Sequence, residues 1–182
     1  MSPAMQELLV RVPPPAKPNN ASGDWKQVEE SLGMVLPDDY KEFINSYGSG
    51  TLCSLFSIPS PFNIIRFSTK ERISPREYWL SWVEIYQDWE QAGRQIAYPV
   101  YPSTPGLFPC GRYGDVDILN WFTVGEASQW HIVFFSREHS LAEIRGFGFA
   151  TFLLAALKGT VPLPEKVLGK HVMDMPSVFE PF

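Results

Sequence analysis

The chain reads as one α+β domain, with helices first, strands next and a helix to close. Two observations predict this. Apolar residues recur at helical spacing in three blocks between residues 24 and 93 and again near 150, while aromatic and β-branched runs between 117 and 145 alternate like strands. Elements grouped in this order exclude alternating βαβ units. At 182 residues the chain can bury a single core, and 45% hydrophobic against 19% charged residues is too apolar for disorder. An aromatic share of 14%, with six Trp, predicts a dense aromatic core or an aromatic contact surface.

Residues 1–23 form a Pro-rich N-terminal extension. Its apolar piece MQELLVRV reads as a short helix or strand, and PPPAKPNNASG as an extended linker. The domain spans 24–159. Asp24 is placed to N-cap a first helix, with Gln27 three residues on as in a capping box. Trp25, Val28 and Leu32 share one face, and Gly33 supplies a left-handed stop. Pro37 suits the first turn of a second helix, where Asp38 and Asp39 favour the positive end of the dipole. Tyr40, Phe43, Ile44 and Tyr47 make its inner face, and Gly48 and Gly50 stop it.

TLCSLFSI then reads as one strand, with a short second one near Arg66. Ser74 and Glu77 form a capping box for a third helix, ended by Gly93. Its stripe Tyr78, Trp82, Ile85, Trp89, widened by Trp79, Val83 and Tyr86, is expected to be core. YPVYPSTPGLFPCGRYGDVD carries too many Pro and Gly for regular structure. DILNWF, WHIVFF and LAEIR read as strands, with GEASQ as a hairpin loop. FATFLLAALKG is a final helix stopped by Gly159. Residues 160–182, a Pro-containing tail, are expected to wrap the surface. The chain shows no internal repeat.

Little in the sequence looks catalytic. A net charge of −5 argues against direct nucleic-acid binding and for a basic partner, if a charged one. Cys53 and Cys110 form no CxxC pair, and His131, His139 and His171 are scattered, so neither a metal site nor a cofactor is expected. Cys110 with His131 or His139 as base would need a lowered thiol pKa that nothing nearby supplies. The Asp115–Asp117 pair lacks the ligand count of a calcium loop. YGSG and GFGF do not stand where a phosphate loop would. With no long apolar run at the N-terminus and two unpaired thiols, the expectation is a cytoplasmic protein without a membrane span.

Trp25, Leu36-Pro37, Asp39-Tyr40, Phe43 and Tyr47-Gly48-Ser49-Gly50 together resemble the SMI1/KNR4 family, also called the SUKH superfamily. LFPCGRYGDVDILNWFT, QWHIVFF and FATFLLAALKG are similar to that family's later segments, in the family's order. GFGFATFL departs from the usual lead into the last helix, and the long aromatic helix from Ser74 to Gly93 looks peculiar to this branch.

The resemblance implies an α+β fold with a mostly antiparallel sheet packed by helices. It also implies protein binding rather than catalysis. Bacterial members are commonly immunity proteins that neutralise secreted polymorphic toxins, many of them nucleases. Others are regulatory or adaptor domains, which is the alternative reading; a cysteine-dependent enzyme is a third. An inhibitor of a cationic nuclease can present carboxylates to it. The acidic clusters here are Asp38, Asp39 and Glu42; Glu84, Asp88 and Glu90; and Asp115 with Asp117. They are the candidate contacts with such a toxin, and exposure is expected of the first and third.

Overall fold

A computed structural model describes residues 1–66, 68–93, 95–114, 117–136, 140–161 and 176–182. Among the described residues, five helices, α1 (Pro3–Arg11), α2 (Trp25–Leu32), α3 (Asp38–Tyr47), α4 (Pro75–Gln91) and α5 (Phe149–Leu157), surround one antiparallel sheet. Its seven strands are β1 (Gly50–Leu52), β2 (Phe56–Ile58), β3 (Leu107–Tyr113), β4 (Asp117–Phe122), β5 (His131–Ser136), β6 (Ser140–Ile144) and β7 (Phe179–Pro181), in the order β6-β5-β4-β3-β2-β1-β7. The fold is α+β.

Both sheet faces are buried. One carries Leu119, Trp121, Ile132 and Phe134 against α1, α3 and α5. The other carries Leu107, Ile118, Val133 and Phe135 against Trp82 and Tyr86 of α4. The alternation along β4 and β5 sends neighbouring residues to opposite faces.

Local chemistry sets the helix ends. The Asp24 carboxylate accepts from the backbone N–H of Lys26 and Gln27, and Gly33 closes α2 at φ +73°. Ser74 and Glu77 form both halves of the capping box at α4. The aromatic face of α4 is core, as expected, but Trp79, Trp82 and Tyr86 lie deepest, while Tyr78, Ile85 and Trp89 are half-buried.

The sheet differs from expectation in several places. TLCSLFSI is a hairpin, β1 to β2, turned by Cys53 and Ser54 at φ +54° and +55°. Successive left-handed residues define a type I′ turn, which usually needs Asn or Gly. Near Arg66 there is one bridge, Ile65 with Arg72, rather than a strand. The expected hairpin loop does join β4 to β5, and it holds a 3-10 turn, Ala127–Gln129.

The Pro- and Gly-rich stretch expected to be irregular contains β3. Thr123 N–H donates to the Gly106 carbonyl at 2.9 Å. The antiparallel alternation then turns Pro109 away from β4, so its missing N–H breaks no ladder bond. A bulge follows between Pro109 and Gly111. β2 pairs only with Tyr113 and Arg112 at the far end of β3, and the indole of Trp79 donates to the Pro109 carbonyl at 2.7 Å.

The ends of the chain belong to the core. Met5, Leu8 and Val12 are fully buried, and Phe179 packs its ring against Phe43 and Tyr47. The tail thus returns to the sheet as β7 instead of only wrapping the surface; residues 162–175 lie outside the described ones.

Candidate partner-binding surface

The N-terminal turn of α3 divides its three carboxylates among different tasks. Asp38 has a side chain 94% exposed, with Lys41 Nζ at 3.3 Å. Asp39 is not exposed as expected. Its Oδ2 accepts from Ala150 N–H at 2.9 Å, capping α5, whose own N-cap is Gly148 and has no side chain to offer. Burial pushes the Asp39 carboxyl above its usual range, with the Ala150 N–H opposing. Glu42 is half-buried and accepts from Ser2 N–H at 2.9 Å, which ties the N-terminal segment to α3. Of this cluster, Asp38 alone keeps a largely exposed carboxylate.

Asp38 stands on the rim of a groove of about 430 Å³ between α3, the 3-10 turn and the start of α5. Its lining includes Leu36, Trp130 and Phe149, with Val35 exposed at 60%. Glu126, exposed in the loop before the 3-10 turn, adds a second carboxylate. Sequence reasoning missed Glu126. Its neighbourhood to Asp38 is made by the fold, and no local pattern announces it.

The second cluster lies across the sheet. Glu84, Asp88 and Glu90 are all exposed on α4. Asp117 opens β4, half-buried and paired in register with Tyr113, and Asp115 lies outside the described residues. The acidic clusters therefore do not merge into one face. The sheet stands between the α3 groove and α4.

The thiol reading finds no support in the geometry. Cys110 is fully buried in β3, and burial, with the Asp39 charge adding, pushes its thiol well above the usual range. A nucleophile needs the opposite shift. His131 Nε2 lies 2.7 Å from Glu143, which also accepts from Arg145 at 3.1 Å, so the imidazole belongs to a cross-strand pair on β5 and β6. His139 and His171 lie outside the described residues. Among the described residues, no group of three His, Cys, Asp or Glu side chains is placed to hold a metal ion, and no helix is long and apolar enough to cross a membrane.

The hydrogen-bonded carboxylates thus help hold the fold, while Asp38, Glu84, Asp88 and Glu90 stand exposed. The family model for the SMI1 / KNR4 family (SUKH-1) matches residues 21–154, and the chain belongs to that family. Membership fits an immunity-protein role in general. Comparison with curated proteins and with solved structures gave no match.

Proposed function

We propose that the chain is an immunity protein, acting in the cytoplasm, that binds and neutralises a cognate secreted polymorphic toxin, a nuclease, by non-covalent contact. The observation that carries this reading is the α3 groove. An apolar floor with exposed Val35 sits beside the carboxylates of Asp38 and Glu126. Binding energy concentrates in such apolar pockets ringed by polar groups. Nucleases hold phosphate with cations, and carboxylates at the rim meet those cations in place of nucleic acid. Rim charges act mainly on the association rate and its salt dependence.

The test begins with whether a secreted toxin is encoded beside this gene. Cells producing it should grow only when this chain is made as well. Asp38→Lys combined with Glu126→Lys should slow association on the order of tenfold at low salt and leave the melting curve close to wild type. Failure to protect would refute the immunity role. Unchanged association, with no weakening of the wild-type complex by salt, would refute this groove as the contact.

A further inference from the structure

Helix α4 carries its charges against its own dipole. The hairpin leading into it and its first turn hold Arg66, Lys70, Arg72 and Arg76, all exposed, against the carboxylates of Glu71 and Glu77. Glu77 is taken up by the capping box with Ser74. The C-terminal half holds Glu84, Asp88 and Glu90, all exposed, with no cation in the last turn.

A helix is stabilised by the reverse arrangement, anions at its start and cations at its end. Glu84 and Asp88, one turn apart, also repel each other. Among the described residues, none of Arg72, Arg76, Glu84, Asp88 and Glu90 stands in an ion pair. The two poles are too far apart to neutralise each other within one chain. Arg76 and Glu90 are separated by about 21 Å along the axis at the ordinary helical rise, about twice the screening length at 0.1 M salt.

The pattern is self-complementary. A second copy of α4 laid antiparallel across the first sets each basic pole on an acidic one, twice over, as a two-fold axis requires. We propose that this chain pairs with a second copy of itself through α4, crossing near Val83, with Arg76 of each copy against Glu90 of the other and Arg72 and Asp88 flanking them. Arg76, Leu80, Val83, Gln87 and Glu90 recur at alternating four- and three-residue spacing on one face of α4, with Val83 midway between Arg76 and Glu90.

One helix and one hairpin cover less than the roughly 800 Å² per partner of a stable interface. The pair is accordingly weak and salt-sensitive. It lies across the sheet from the α3 groove, so it stands or falls separately from the immunity reading.

The experiment is light scattering of the full chain in about 20 mM and about 0.5 M salt, conditions that stretch and collapse the screening length. The expected result is dimer in the first and monomer in the second. Asp88→Arg with Glu90→Arg makes both poles basic, and Arg72→Glu with Arg76→Glu makes both acidic. Each variant alone should be monomeric at low salt, and an equimolar mixture should recover the dimer mass. Should a reversal unfold the chain, Asp88→Asn with Glu90→Gln replaces it and should also be monomeric. A monomeric wild type at low salt, a dimer that survives either reversal, or a mixture that stays monomeric would each overturn the proposal.

Discussion

Trp79 ties α4 to the weakest stretch of the sheet, and two substitutions separate its contributions. Its side chain is 1% exposed, its ring stacks on Phe108 at 5.4 Å, and its indole N–H donates to the Pro109 carbonyl at 2.7 Å. That carbonyl points away from β4 at a place where β2 does not pair. Trp79→Phe keeps most of the ring and deletes the donor. The stranded carbonyl should cost about 1–3 kcal/mol. Trp79→Ala removes the ring as well, for which a buried large aromatic costs about 3–5 kcal/mol, a large share of a typical domain stability of about 5–15 kcal/mol. Urea unfolding followed by far-UV circular dichroism gives both values. A Trp79→Phe loss below about 0.5 kcal/mol, well under the range for an orphaned buried acceptor, would refute the bonded-carbonyl argument. Equal losses for the two variants would refute the packing argument.

Phe43 and Trp25 both face inward by helical spacing, but the structure ranks them. Phe43 is fully buried among Tyr47, Phe149 and Phe179, whereas Trp25 is half-exposed against Tyr40 and Phe62. Phe43→Ala should lower stability by about 3–5 kcal/mol and Trp25→Ala by clearly less; melting curves in the opposite order would contradict this. Asp39 gives a pH test. An unfolded Asp titrates near about 3.9, and burial raises the folded value. Its protonated form therefore favours folding, and that contribution is fully present below about pH 4 and lost as pH rises through the folded value. Asp39→Asn keeps an acceptor for Ala150 N–H without titrating. The stability of the wild type relative to Asp39→Asn should fall with pH across this window, and a rise would show that the helix terminus outweighs burial.

Much of the fold was legible because its signals are local. Asp24 and Gly33, or Ser74 and Glu77, announce helix ends by interactions within a few residues, and the aromatic runs of β4 and β5 declare two buried faces by composition. What escaped depends on distant partners. β3 survives Pro109 because register turns that residue off the ladder and Trp79, far back in the chain, takes its carbonyl. The β1–β2 turn places Cys53 and Ser54 in a left-handed conformation that neither residue type advertises. The acidic candidate residues were equally divided. Asp38 was readable as an exposed first-turn carboxylate. Asp39, its neighbour, is a cap for a helix more than a hundred residues later, and Glu126 joins the groove only through the fold.

The Gly48-Ser49-Gly50 exit of α3 does more than end a helix. A Cβ on Gly48 would sit 1.9 Å from the Asn19 carbonyl oxygen, and one on Gly50 would sit 2.3 Å from the Phe179 ring. Both chain ends thus pass over the same bare backbone, one on each glycine, and both lie outside the residues that match the family. The boundary of the sequence match is therefore not the boundary of cooperative folding. A fragment cut to residues 21–154 would lose Met5, Leu8 and Val12 from the core and uncover Phe43 and Tyr47, leaving it prone to aggregate. The two terminal segments and the matched residues pack as one unit, and the two glycines mark where both segments cross it.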